Sequence, residues 1–115
     1  MSTQYFGSDK SSSDAVIHEG AVYLPAMTAK VLSQTVAEQT QQILDQIDQT
    51  LKACGTTKYK LLSATVYCAD ARFFDEVNTR WDAWVPWHDP PASPLLGATL
   101  GVPGATRALP VVAGL

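Results

Sequence analysis

Hydrophobic residues recur at helical spacing in two stretches of the chain. Between Thr35 and Cys54 the apolar positions are three or four apart, with Gln, Glu and Asp between them, and Gly55 follows. This pattern predicts an amphipathic helix that ends at a glycine. A second helix is predicted after Asp70, a residue suited to cap it, and before Pro86. Its apolar stripe consists of Phe73, Phe74, Val77, Trp81 and Trp84.

Shorter runs of β-branched and aromatic residues predict strands. Two such runs within residues 15–27 flank Glu19-Gly20, where glycine supplies the positive φ of a tight hairpin turn. Residues 61–69 and 109–113 are also rich in strand formers. In the first of these, alternation places Leu62, Ala64, Val66 and Cys68 on one face and Leu61, Ser63, Thr65 and Tyr67 on the other.

The remaining segments lack such a pattern. Residues 1–14 hold a glycine and a serine cluster, which predict a loose N-terminal arm. Residues 93–104 mix Gly and Pro with Leu, a composition that favours neither strand nor helix. The order hairpin, helix, strand, helix, strand predicts a single α+β domain over residues 1–115, with two helices on one face of the sheet.

Composition narrows the classes of partner. The chain has 115 residues, 46% of them hydrophobic, which is enough for one core. A net charge of −3 and a pI near 5.1 disfavour binding to the phosphate backbone of a nucleic acid, so no nucleic-acid partner is expected. The apolar runs are far shorter than the ~20 residues of a membrane helix, and the start lacks a secretion-signal pattern. We therefore expect a cytoplasmic protein with no membrane partner.

The cysteines and histidines give only weak indications of a catalytic or metal site. Cys54 and Cys68 are expected to be reduced thiols, the first on the apolar face of its helix. Cys68 ends a predicted strand, where both a packing role and a reactive role are open. His18 and His88 lack partners at metal-ligand spacing, so neither a metal nor a cofactor is predicted.

Three sequence motifs resemble the YjgF/RidA family over residues 13–91. They are Ser-Asp-x-Val-Ile-His at 13–18, Glu-Gln-Thr at 38–40, and Phe-Asp-Glu-Val-Asn followed by Trp-Asp-Ala-Trp at 74–84. The branch of this family with a Trp-Asp-Ala-Trp-Val helix is the most similar. The resemblance implies a chorismate-mutase-like α+β subunit, a homotrimer and small-molecule sites in the clefts between subunits. It also implies hydrolysis of reactive imines or enamines to ketoacids and ammonia, and an older label, endoribonuclease L-PSP.

Several positions depart from the family pattern. The resemblance implies an arginine that clamps the substrate carboxylate, but the matching stretch at 91–94 reads Pro-Ala-Ser-Pro, with Ser93 at the arginine's place. It also implies a glutamate that positions water, but the corresponding place, near Ala108, has no acid. Asn78 matches a family site residue. His88 is a candidate to orient a ligand, and Arg107 is a candidate substitute for the missing clamp. The predicted ligand-binding residues are therefore Asn78, Ser93, Arg107 and His88. A shifted reading frame over about residues 93–107 is a second hypothesis for these departures, which resequencing the gene tests.

Three functional hypotheses follow. The preferred one is a trimer that binds a small carboxylate metabolite and has weak or absent imine deaminase activity. The alternative is an active deaminase that releases ammonia and a 2-ketoacid. A ribonuclease is disfavoured by the negative net charge. Independently of the resemblance, apolar residues on both faces of 61–69 predict that another subunit covers Tyr67 and its neighbours.

Overall fold

A computed structural model describes residues 2–32 and 35–115 and shows an α+β subunit in which helices lie on one side of a mixed sheet. The expected fold class is confirmed. The predicted arm begins with Met1, which lies outside the described residues. In the described residues the strands are β1 (Thr3–Phe6), β2 (Ala15–His18), β3 (Ala21–Met27), β4 (Leu61–Ala64), β5 (Val66–Cys68), β6 (Leu95–Gly97) and β7 (Arg107–Gly114), and the α-helices are α1 (Val36–Ala53) and α2 (Phe74–Trp84).

The C-terminal strand β7 organises the sheet. The strand order is β1-β2-β3-β7-β5-β6, and β4 also pairs with β7. The β5–β6 pair is parallel, whereas the other named pairs are antiparallel. Because β4 and β5 are consecutive, Thr65 lies between them, and its backbone N–H donates to the Pro110 carbonyl at 3.1 Å. The stretch predicted as one strand therefore runs along β7 as two short strands.

The predicted hairpin is confirmed between β2 and β3. Its turn residues Glu19 and Gly20 have φ values of 50° and 80°. Positive φ at both central residues matches the twist of the flanking strands, and glycine adopts it without a steric penalty. Val16 pairs with Tyr23 across the two strands.

The prediction of a loose N-terminal arm is wrong over residues 3–6. These residues form β1, an edge strand that pairs with β2 so that Tyr5 lies opposite Val16. The local Thr-Gln-Tyr-Phe sequence contains strand formers, and pairing with β2 satisfies their backbone groups. The serine cluster forms the following loop, where the Asp9 carboxylate accepts from the backbone N–H groups of Ser11 and Ser12 and its pKa is lowered by these bonds.

Helix α1 confirms its prediction at both ends. The Thr35 hydroxyl accepts a hydrogen bond from the backbone N–H of Glu38 at 3.2 Å, and Gly55 takes a φ of 84° just after the helix. Cys54 is buried as expected, and burial raises the pKa of its thiol. The side chains that α1 buries completely are Gln39, Thr40, Ile43, Leu44, Ile47 and Leu51.

Helix α2 starts one turn later than its predicted cap. The Asp70 carboxylate accepts from the Arg72 backbone N–H at 2.9 Å and caps a single 3₁₀ turn, Ala71–Phe73, from which α2 continues. The helix ends before Pro86, as predicted. Near that end the buried Trp84 donates its indole N–H to Asp48 Oδ2 on α1 at 2.9 Å. This bond fixes the end of α2 against α1.

Two details of the later strands differ from prediction. The register between β4 and β7 shifts between Leu61 and Ser63, so Leu61 is buried and Leu62 is 56% exposed, the reverse of what alternation predicts. From Ala64 to Cys68 the alternation is regular, and the face that carries Ala64, Val66 and Cys68 is buried. Residues 95–97 form β6 although the Gly/Pro composition predicted no strand, because β5 supplies a parallel partner in which Val66 lies opposite Leu95.

The two faces of the sheet have different surroundings. Helix α1 packs on β3 and β7, and the core lies between them around Val22, Leu109 and Val111. The opposite side, here called the open face, carries Tyr5, Val16, Tyr23 and Val112 in one cross-strand row and Tyr67 and Leu96 in another. Tyr5, Tyr23 and Leu96 are 66%, 47% and 44% exposed. In the described residues no helix is both long and apolar enough to span a bilayer.

Candidate functional site

Asn78 and Ser93 are both exposed, on different elements. Asn78 follows the buried Val77 on α2. Ser93 follows Ala92, whose N–H donates to the Leu62 carbonyl at 3.1 Å and whose carbonyl accepts from the Ala64 N–H at 2.9 Å. These two bonds fix the chain just before Ser93 against β4. The serine is thus held at the edge of the sheet, and its hydroxyl offers one neutral polar group to a ligand.

Position 108 lies on the side of the sheet away from the helices. Ala108 pairs with Tyr67 of β5 in the sheet register, and it is buried. Its methyl group can neither accept a proton nor orient a water molecule. The place where the family resemblance implies a catalytic glutamate therefore has no acid or base.

Arg107 lies on the opposite side of β7 from Ala108. Successive strand residues point to opposite faces, so Arg107 shares its face with Leu109 and Val111 in the core. The side chain is 2% exposed, and within the described residues its Nε and Nη2 atoms have no hydrogen-bond partner. Burial lowers the pKa of this guanidinium to about 10, against the opposing effect of the neighbouring Cys68. Its predicted role as a carboxylate clamp stays a prediction.

Among the described residues, no carboxylate forms an ion pair with Arg107. Cys68 pairs with Arg107 across β5 and β7, and its fully buried thiol donates to the Asp70 carbonyl at 3.2 Å. The Asp70 carboxylate accepts from Nε and Nη2 of Arg72 at 2.9 and 2.7 Å, and these bonds lower the pKa of Asp70. The acid nearest in sequence to Cys68 is thus engaged with a surface arginine. Cys68 has no exposed surface through which to meet a substrate.

His88 lies in a separate cleft at the end of α2. This cleft has a volume of about 290 Å³ and is called the aromatic cleft below. The ring of the exposed His88 stacks on that of Trp87 with centroids 3.8 Å apart. The cleft is lined by Lys58, Tyr59, Ala83, Trp84, Val85, Pro86, Trp87, His88 and Asp89.

The sequence predicted one member of this cleft, His88, as a candidate site residue, and Trp84 as a core or subunit-contact residue. The prediction missed Lys58, Tyr59 and Trp87 as lining residues. For Trp87 the sequence did contain a usable signal. Pro86 ends the helix, so the next residue, Trp87, lies outside the helix but close to its end. Lys58 and Tyr59 lie on a 3₁₀ turn, and no local sequence feature predicts that this turn packs beside the end of α2.

The four predicted ligand-binding residues are not assembled within one subunit. Among the described residues no hydrogen bond or ion pair joins any two of Asn78, Ser93, Arg107 and His88. The cleft that contains His88 is not lined by the other three. Within residues 2–32 and 35–115, no three His, Cys, Asp or Glu side chains come together as metal ligands would.

Comparisons with known proteins agree on one family. The family model described as endoribonuclease L-PSP matches residues 4–106. A RutC family protein of Haemophilus ducreyi is 34% identical over 91 residues, covering 79% of this chain and 78% of the relative. The crystal structure of a YjgF family member from Neisseria meningitidis has a TM-score of 0.95 at 35% identity, covering 99% and 95% of the two chains. The chloroplastic Reactive Intermediate Deaminase A of Arabidopsis thaliana is 29% identical over 82 residues, covering 71% of this chain and 44% of that protein.

Proposed function

The chain belongs to the endoribonuclease L-PSP family, also called YjgF/RidA, and on this premise we propose that it is a homotrimer that binds a small carboxylate metabolite between its subunits. In this proposal its deamination of imines is absent or very weak. The strongest support is the side chain at position 108. A methyl group stands opposite Tyr67 where an acid would hold the attacking water.

The open face supports the assembly. It carries three tyrosines and aliphatic residues, of which Tyr5, Tyr23 and Leu96 are exposed, while the helices cover the other side of the sheet. A contiguous apolar surface of this kind is characteristic of an interface. A closed trimer would bury it in the centre and would place the edge containing Ser93 next to a neighbouring subunit.

The residue at position 93 supports the weak activity. A bidentate arginine would hold a carboxylate by two charge-assisted hydrogen bonds and align the substrate. The Ser93 hydroxyl offers one neutral hydrogen bond, worth about 1 kcal/mol, where the charged pair supplies at least about twice as much. The ligand is therefore held weakly in the proposed site, with Asn78 as a second polar contact.

Binding of pyruvate by calorimetry tests this proposal. Ser93→Arg restores a cation at the proposed site and should tighten pyruvate binding about tenfold or more. Ser11→Arg adds the same charge in the N-terminal loop and is the matched control, with no change expected. Equal effects of the two variants would contradict a site at Ser93.

A second candidate is an active deaminase, favoured by the similarity to the Arabidopsis protein named Reactive Intermediate Deaminase A. Deaminase activity requires another cationic side chain in place of the missing arginine and another acidic side chain in place of the missing glutamate. Arg107 is buried on the helix side, and His88 lies in the aromatic cleft, so each would need a site away from Ala108. Ketoacid release from a small imine distinguishes the two candidates. Salt-dependent RNA binding would instead support the ribonuclease named in the family description.

A further inference from the structure

The aromatic cleft contains one buried and two exposed large aromatic side chains. Trp84 is 7% exposed, and its indole N–H is held by Asp48. Beside it, Tyr59 is 70% exposed and Trp87 is 77% exposed. Large aromatic side chains that are exposed to solvent beside a concave surface are common in ligand sites, because the flat ring of a ligand can stack on them.

Lys58 brings a positive charge to the same cleft. Its Nζ lies 5.2 Å from the centre of the Trp84 ring and 5.8 Å from that of Tyr59, and the residue is half-buried. Within the described part of the chain, no carboxylate lies within 4.0 Å of this ammonium group. The rings attract the cation but leave it without an anion. Asp89 also lines the cleft and adds one negative charge.

We propose that the aromatic cleft binds a small planar aromatic monoanion. Its ring stacks on an exposed aromatic side chain of the cleft, and its anionic group pairs with Lys58. His88 already covers one face of Trp87, so the ligand stacks on the other face or on Tyr59. A volume of about 290 Å³ accommodates one substituted ring. The negative charge of Asp89 disfavours a ligand with a second anionic group.

This site is separate from the proposed carboxylate site between subunits. Asn78 and Ser93 do not line it, and Lys58, Tyr59 and Trp87 take no part in the proposed function. The two sites also differ in what they select. The subunit cleft is proposed to bind a small carboxylate, whereas the aromatic cleft requires a ring and a charge together.

Three probes separate these requirements: benzoate, benzamide and acetate. Benzamide keeps the ring and loses the charge, and acetate keeps the charge and loses the ring. The indole N–H signals of the three tryptophans report on the location of binding by NMR. Benzoate should move the signals of Trp84 and Trp87 at lower concentration than either other probe. Equal binding of benzoate and benzamide, or benzoate binding that leaves both signals in place, would overturn the proposal.

Matched variants test the residues. Lys58→Gln should weaken benzoate binding about fivefold to tenfold and leave benzamide unchanged. Lys60→Gln removes an exposed lysine from the same 3₁₀ turn and should change neither. Trp87→Ala should weaken benzoate and benzamide alike. Ser93→Arg, which acts on the other site, should leave the Trp84 and Trp87 titration unchanged. An equal effect of Lys58→Gln and Lys60→Gln would refute the role of Lys58.

Discussion

Replacing Arg107 with methionine should make the protein more stable. The guanidinium is buried between the sheet and the helices, and among the described residues two of its nitrogens have no hydrogen-bond partner. A buried charge without a countercharge raises the free energy of the folded state, because water no longer solvates it. Methionine keeps an unbranched apolar stem in the same space and removes the charge.

The lowered pKa gives the magnitude. The fall of the Arg107 pKa from its ordinary value to about 10 corresponds to a cost of about 3 kcal/mol on the charged form in the folded state. Methionine also loses the contact with Cys68, so we expect a net gain of about 2 kcal/mol, or roughly 8 °C in melting temperature. The folded state begins to release the Arg107 proton near pH 10, whereas the unfolded state keeps it to a higher pH. The penalty is therefore fully present below about pH 10, and the gain should be constant from about pH 6 to about pH 9.

Urea unfolding at one fixed protein concentration measures this gain, since assembly also contributes to apparent stability. Arg107→Lys keeps the charge and should give no gain. Arg72→Met removes an exposed arginine and should leave the free energy of unfolding nearly unchanged. A loss of stability in Arg107→Met would refute the reasoning, because it would mean that the contacts of the guanidinium outweigh its desolvation.

Three further substitutions test other parts of the structure. Tyr67→Lys would place an unpaired charge on the open face, and sedimentation should show weaker assembly than for the unmodified chain. Gln39→Leu removes the Oε1 atom that accepts from both the N–H and the hydroxyl of Thr106 at 3.1 Å, and urea unfolding should show a loss of about 2 kcal/mol. Thr35→Ala removes the acceptor for the Glu38 N–H and should lower the free energy of unfolding by about 1 kcal/mol.

The elements with strong local signals could be predicted from the sequence. Helix α1 has a cap, an amphipathic period and a terminal glycine, and each is satisfied within about twenty residues of chain. The Glu19-Gly20 turn is similarly local. The structure confirms these elements because their local preferences agree with the final packing.

Elements that depend on distant partners could not be predicted. Strand β1 exists because β2 offers a free edge, and β6 exists because β5 does. The inverted burial of Leu61 and Leu62 results from a register shift against β7, about fifty residues later in the chain. Local composition carries no information on such pairings.

The site divides in the same way. The sequence identifies Ser93 and Ala108 as departures because each can be compared with a motif, and the exposed position of Asn78 on α2 agrees with a role at a surface. The burial of Arg107 depends on which face of β7 it lies on and on the packing of α1 against that face, and neither is encoded near position 107. The aromatic cleft joins residues 58–59 with residues 83–89, and tertiary packing alone brings them together.

Ketoacid release by the unmodified protein tests the central proposal most directly. A small 2-imino acid generated in solution would be followed through formation of its 2-ketoacid, with and without the protein at micromolar concentration. We expect release at, or only slightly above, the rate of the protein-free solution, because Ser93 and Ala108 supply neither a carboxylate clamp nor a base. Rapid turnover that scales with protein concentration would contradict it.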